Sequence, residues 1–88
     1  MQITTKRVDY SNPDDCRDLI YMQSEYAKHE MGHDPPELQR LPERLSEFST
    51  AFSVLAYEKD RSGPIGLINC FFGFSTFKSR RLVNIHDV

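Results

Sequence analysis

Apolar residues recur along this chain with two different periods, and the change of period divides it. Over residues 13–30 the apolar positions Cys16, Leu19, Ile20, Tyr26 and Ala27 fall three and four apart, with Gln23 the one polar residue on the stripe. That spacing predicts a helix with one buried face. Asn12 is a good N-cap, Pro13 suits the first helical position, and Asp14 and Asp15 stand where the helix dipole favours anions. Lys28 and His29 fall in the last turn, and Gly32 is the natural residue to close it. Ahead of the helix, Ile3-Thr4-Thr5-Lys6-Arg7-Val8 is β-branched and partly polar, the pattern of a strand at a sheet edge. Behind it, His33-Asp34-Pro35-Pro36 forbids direct continuation, because a residue before proline is pushed out of the helical region. Leu38, Leu41, Leu45 and Phe48 then resume helical spacing, which predicts a turn of helix over 36–40 and a short helix over 42–49 opened by Pro42.

From Ala51 the period is two. Phe52-Ser53-Val54-Leu55-Ala56-Tyr57-Glu58 reads as a strand, and residues 59–64 carry turn chemistry. Residues 65–75 form a second, longer strand, apolar on both faces and therefore expected to be central and covered on both sides. Lys78-Ser79-Arg80-Arg81 is a polar turn, and residues 82–88 are a last strand. The order β-α-α-β-β-β predicts an α+β fold: one four-stranded antiparallel sheet in the order 1-2-3-4, with both helices packed against it. A strand that runs to the final residue without a closing turn gives the expectation that residues 1–88 are a single domain cut short.

Composition narrows the class. With 88 residues, 39% of them apolar and 27% charged, the chain has the make-up of one small globular domain and not of a disordered tail. A formal charge of −2 gives no bulk attraction for nucleic acid. Two cysteines, Cys16 and Cys70, make neither a disulfide scaffold nor a metal cage, and they read as core thiols. Residues 1–7 hold no apolar signal region, and the longest apolar stretch, 65–74, is too short to span a bilayer. A cytoplasmic protein without nucleic-acid or membrane partners is the expectation.

The order of elements, the strand Ser53-Val54-Leu55-Ala56-Tyr57-Glu58 with its turn and Gly63-Pro64-Ile65-Gly66-Leu67-Ile68, and the last strand Leu82-Val83-Asn84-Ile85-His86-Asp87-Val88 together resemble the N-terminal portion of a GCN5-related N-acetyltransferase, the GNAT superfamily. The resemblance covers essentially the whole chain. It implies the N-terminal half of a GNAT-like fold and acetyl transfer from acetyl-CoA to an amine. It also exposes a departure. The family's strong motif, an R/Q-x-x-G-x-G loop whose backbone N–H groups cradle the coenzyme A pyrophosphate, has no counterpart among Gly32, Gly63, Gly66 and Gly73. Acetyl-CoA is therefore the cofactor the resemblance names, not bound in the usual mode by this chain. The strand end at Val88 is the part the resemblance brings nearest to it.

The same resemblance points to the last strand for the base that takes the amine proton. The position most like the family's carboxylate is Asn84, which cannot act as a base; His86, on the same face at period two, is chemically suited. The acidic residues Glu30, Asp34 and Glu37 border what would be the acceptor pocket, where they would suit a polyamine or a lysine, against the plainer reading of a solvated loop. His29-Glu30-Met31-Gly32-His33 is a literal H-E-x-x-H, the zinc hydrolase motif, but Gly32 and the two prolines end the helix at the second histidine. Lys59, Arg61, Lys78, Arg80 and Arg81 read as solubilising turns, and Phe71, Phe72, Phe74 and Phe77 as core rather than a base-stacking platform.

Three functions follow from these readings: an acetyltransferase piece inactive alone, a non-catalytic binding or oligomerisation module on the same half-fold, and, remotely, a zinc hydrolase. An unfinished sheet edge that carries Leu82, Val83, Ile85 and Val88 further predicts self-association, as a homodimer or higher oligomer, through the region of the last strand.

Overall fold

The computed structural model describes residues 2–75 and 80–86, and side chains as far as Phe72. Its elements in order are β1 (Ile3–Arg7), α1 (Pro13–Met31), a 3-10 turn (Leu38–Arg40), α2 (Leu41–Ser46), β2 (Ala51–Glu58), β3 (Pro64–Ser75) and β4 (Arg80–His86). The α+β class, with two helices and an antiparallel sheet, is the one the two periods predict. Neighbours in the sheet follow chain order, β1-β2-β3-β4, and every pairing is antiparallel. Residues 76–79, with Phe77 and the first half of the expected polar turn over 78–81, lie outside the described residues. So do Asp87 and Val88, and the side chains of Phe74, Arg80, Arg81, Asn84 and His86. Arg80 and Arg81, expected in that turn, instead open β4, where they pair with Ser75 and Phe74.

Local chemistry accounts for the helix limits. The Asn12 side chain accepts from the backbone N–H groups of Asp14 at 2.9 Å and Asp15 at 3.1 Å, and Pro13 follows it at the first helical position. At the other end Gly32 takes φ 80°, a left-handed conformation that costs glycine little, and its N–H bonds to the Lys28 carbonyl. Glu37, at φ 58°, is the only non-glycine residue with positive φ among those described. Its carboxylate lies 3.5 Å from Arg40 and 3.6 Å from Arg44, two weak ties over the turn it introduces.

Alternation along β2 decides where the core lies. Ala51, Ser53 and Leu55 are buried, and opposite them on β3 stand Phe71, Asn69 and Leu67. Leu55 and Leu19 of α1 are fully buried; together with Val8, Ala51 and Leu45 of α2 they form the core cluster. Both helices therefore sit on one face of the sheet. On the other face Phe52, Val54, Ala56, Ile68 and Phe72 are only half-buried. There the Phe52 and Phe72 rings stack with centroids 4.8 Å apart. The Arg7 guanidinium lies over Phe52, also at 4.8 Å. Strand β3 is central, as its apolar run predicts, but among the described residues the helices cover it on one side only. A run apolar on both faces reports what a strand can bury, not which neighbours are present to bury it.

Polar ties fasten α1 to the sheet. Buried Asp15 accepts from Lys6 Nζ on β1 and, at 2.9 Å, from the Asp9 backbone N–H. Burial alone would raise the Asp15 carboxyl; these two donors outweigh it and hold the group below the usual carboxylate range. One turn on, Asp18 accepts from the Tyr57 hydroxyl at 2.8 Å. Burial, with that bond to a carboxylate, pushes the Tyr57 phenol up to about 12.

The Asp15 tie sets an acid limit. A carboxyl lowered in the folded state stabilises above its unfolded value of about 4, and the contribution is lost as pH falls through the lowered one. Asp15→Asn is expected to cost about 1–3 kcal/mol at pH 7 and to flatten the fall in stability below about pH 4. Urea midpoints at pH 7 and pH 3 check this; an acid limb as steep as in the parent chain would contradict it.

Candidate functional site

A line of hydrogen bonds crosses the helix-covered face of the sheet. Tyr10 and Ser53 hydroxyls are 2.7 Å apart; Ser53 Oγ donates to Asn69 Oδ1 at 2.6 Å; Asn69 Nδ2 donates to Gln23 Oε1 at 3.0 Å. Ser53 has one proton and spends it on Asn69, so Tyr10 is the donor in the first link. Burial raises the Tyr10 phenol and keeps it protonated for that task. Ser53 and Asn69 are buried, and no buried side-chain polar atom among the described residues lacks a partner. The helical stripe had one polar exception, Gln23, and this is its reason: it meets an asparagine on the strand beneath.

Gln23 also stands in the wall of a cavity of about 480 Å³. Met22, Tyr26 and His29 continue the wall along α1 and Leu67 faces them from the sheet, while Thr5, Val54, Ala56 and Ile68, also in the wall, belong to the opposite sheet face, so the space runs round the β3 edge at Gly66. The place follows from strand register. Pairing between β3 and β4 runs from Ser75↔Arg80 to Asn69↔His86 and, among the described residues, stops there. The cavity opens beside the next stretch of β3, from Ile68 back to Gly66. Among the described residues the lining is mostly apolar and holds no carboxylate.

The residues singled out from the sequence fall around this cavity in different ways. The backbone of His86 lies opposite Asn69, one residue along β3 from the cavity wall, and that of Asn84 opposite Phe71. Val88 lies outside the described residues. The acidic residues are each engaged at the surface: Glu30 lies 3.4 Å from His29, Asp34 accepts from the Ser24 hydroxyl, and Glu37 faces Arg40 and Arg44. None of the three lines the cavity. The two histidines of the H-E-x-x-H do not share a helix face, because Gly32 breaks the helix between them, and His33 Nδ1 bonds to the Asp34 carbonyl at 2.9 Å. Among the described residues no three His, Cys, Asp or Glu side chains converge as metal ligands would.

Of the cysteines, Cys70 is buried and Cys16 half-buried, its Sγ 3.2 Å from the Tyr10 carbonyl. Burial, with Asp15 and Asp9 nearby, pushes the Cys16 thiol up and so disfavours the nucleophilic thiolate. Among the described residues no helix is long and apolar enough to cross a membrane. The cavity and its amide donor escaped the sequence reading. Gln23 on an apolar stripe was the available signal, but only the fold pairs it with Asn69.

The order of the hydrogen bonds predicts an order of costs. Ser53→Ala removes the donor to Asn69 and the acceptor of Tyr10 in a buried place, an expected loss of about 1–3 kcal/mol. Tyr10→Phe removes only the outer link, and about 0.5–1.5 kcal/mol is expected. Urea unfolding of the two variants measures both; a greater loss from Tyr10→Phe would contradict the direction of the line.

What comparison with known proteins gives concerns the fold. No protein-family model matches the chain, and no curated protein matches it. Among solved structures it is similar to an aminoglycoside acetyltransferase from an uncultured soil metagenomic sample, with a TM-score of 0.65 at 16% sequence identity. The match covers 99% of this chain and 57% of that one, so the chain spans little more than half the length of its structural neighbour. The two helices and the antiparallel sheet are thus compatible with part of that neighbour's fold.

Proposed function

We propose that the chain is the N-terminal portion of a GNAT-type N-acetyltransferase, whose reaction moves an acetyl group from acetyl-CoA to an amine. The observation that carries this reading is the likeness of nearly the whole chain to part of an acetyltransferase of known structure. The element order and the β2–β3 hairpin, which resemble the family in sequence, agree with it.

The described residues do not fit the coenzyme A pyrophosphate. A pyrophosphate cradle needs successive backbone N–H groups at a helix start. Here Gly32 closes a helix, Gly63 sits at φ 81° in the β2–β3 turn, and Gly66 lies within a strand. The part this chain takes in the reaction therefore belongs to the acceptor side. His86, at the end of β4 beside the cavity, is the candidate base for the proton an amine gives up on acylation. By itself the chain is expected to be inactive, since positioning both reactants accounts for roughly 7–11 kcal/mol of the rate enhancement in favourable cases.

A chimera tests the reading. The 88-residue chain is joined to the remaining portion of an acetyltransferase of this fold, one that carries the glycine-rich loop. Release of coenzyme A thiol is then followed with a panel of amines. The expected result is background release from the chain alone and amine-dependent release from the chimera, abolished by His86→Ala. A folded chimera that binds acetyl-CoA and acetylates no amine would overturn the proposal.

One observation favours a second reading, a non-catalytic module that self-associates. Phe52, Val54, Ala56, Ile68 and Phe72 are half-buried on a sheet face over which no described element packs. A second copy related by a two-fold axis, meeting it near the last strand, would cover that face. At about 25 cal/mol per Å², a few hundred Å² of apolar burial matters to a domain this small. Light scattering at micromolar concentration is expected to give a dimer or larger; a folded monomer defeats the idea.

A further inference from the structure

We propose that the hollow between the N-terminal half of α1 and the β2–β3 turn binds a small aromatic monoanion, a ring that carries one carboxylate. The hollow has a volume of about 420 Å³, in the range of small-ligand sites, and shares no lining residue with the cavity at Gln23. Arg17, Asp18 and Tyr21 form its helix side, and residues 61–64 its sheet side. Charge sets the sign of the ligand. Two arginines, Arg17 and Arg61, stand in the wall against one aspartate, which leaves one positive charge over among the described residues. That aspartate is engaged at both oxygens: Asp18 Oδ1 lies 3.2 Å from Arg17 Nε, and Oδ2 accepts from the Tyr57 hydroxyl. The guanidinium that has nothing to answer it is Arg61.

Arg61 differs in this from the other arginines whose side chains are described. Arg7 lies over the Phe52 ring, Arg17 reaches Asp14 and Asp18, Arg40 reaches Glu37 and Glu43, and Arg44 reaches Glu37. Among the described residues the Arg61 side chain has no ion pair, not even with Asp60 beside it. Its backbone is held all the same. The Arg61 N–H donates to the Glu58 carbonyl at 3.1 Å, the Lys59 N–H donates to the Gln2 carbonyl at 3.0 Å, and Gly63 takes φ 81° to close the turn. A planar fork of N–H donors on a fastened turn suits a planar carboxylate, which can meet it with two parallel bonds. The rest of the wall asks for a ring. Tyr21 lies off the apolar stripe of α1 and is 53% exposed, and it shares this wall with buried Pro64. An aromatic ligand would cover a face of Tyr21 that the fold leaves to solvent. Nothing in this inference rests on the acetyltransferase reading.

Both side chains that carry the proposal are exposed, so their replacement spares the fold. The probes are phenylacetate, with a ring and a carboxylate; phenylacetamide, its neutral counterpart; and acetate, the charge without the ring. Each is titrated at low salt into the ¹⁵N-labelled 88-residue chain, and amide shifts are followed by NMR. Phenylacetate is expected to give saturable shifts at Tyr21, Arg61, Ser62 and Gly63. It should bind about five-fold more tightly than phenylacetamide, and Arg61→Gln should remove that margin. Tyr21→Ala should narrow its margin over acetate. Absence of saturable shifts with phenylacetate, an equal affinity in Arg61→Gln, or acetate binding as tightly as phenylacetate, which would mean ion pairing at the surface only, would each overturn the proposal. No acetyl-CoA enters the titration, so its outcome and that of the chimera are read separately.

Discussion

The hydrogen bonds from Tyr10 through Ser53 and Asn69 to Gln23 constrain this molecule more than any apolar contact does. Apolar side chains such as Leu19, Leu45 and Leu55 are tolerant partners: a helix can slide or rotate over a sheet and still bury them. A serine and an asparagine in the same core are not tolerant, because each polar atom left without a partner there costs about 1–3 kcal/mol. Ser53 faces Asn69 only when β2 and β3 pair in the observed register, and Asn69 reaches Gln23 only when α1 lies across β3 at one height. A slip of one residue along either strand would turn its polar residue to the opposite face. The line therefore selects a single arrangement of helix on sheet, and the Asp15–Lys6 and Asp18–Tyr57 ties agree with it from the N-terminal half of the helix.

That selection has a consequence for the cavity. The residue that ends the line, Gln23, is also one of those that line the open space beside β3. Its amide orientation is decided by hydrogen-bond bookkeeping in the core, not by whatever enters from outside. A donor set in advance loses little freedom on binding, which is how a few fixed polar groups in an apolar pocket give selectivity.

Much of the fold was legible because its signals are local. The Asn12-Pro13-Asp14-Asp15 start and the Gly32 stop bound α1 within a residue of the expected limits, since capping is decided by neighbours in sequence. Period two from Ala51 located β2 and β3 to within a residue for the same reason. The short helix was less legible. It ends at Ser46 rather than near residue 49, and the turn before it covers only Leu38–Arg40. Phe48, counted as its last apolar position, is exposed. The site was legible only in outline. Glu30, Asp34 and Glu37 stand out because charge is visible in a sequence. Charge that is answered by an adjacent arginine or hydroxyl is not, since partners such as Ser24 for Asp34 stand ten residues apart. The cavity wall combines α1 with strands that begin some twenty-five residues later and with Thr5 ahead of it, and no period reports that.

The engaged carboxylates and the apolar wall bear together on how a fold and a substrate are related. An acceptor pocket for a polycation must spend carboxylates on it, and those carboxylates must stand unanswered until the ligand arrives. In this chain they are answered already: Glu37 lies between two arginines that follow it on the 3-10 turn and α2, and Asp34 takes the Ser24 hydroxyl from the middle of α1. These contacts fasten the loop after α1 to the elements on either side of it. Releasing them to bind a ligand would loosen the segment that borders the candidate pocket. Fastening the loop and attracting a polycation are therefore competing uses of the same side chains, and the geometry assigns them to the loop. What remains for recognition is the cavity itself, where among the described residues apolar surface, the Gln23 amide, the Thr5 hydroxyl and the His29 ring are the available means.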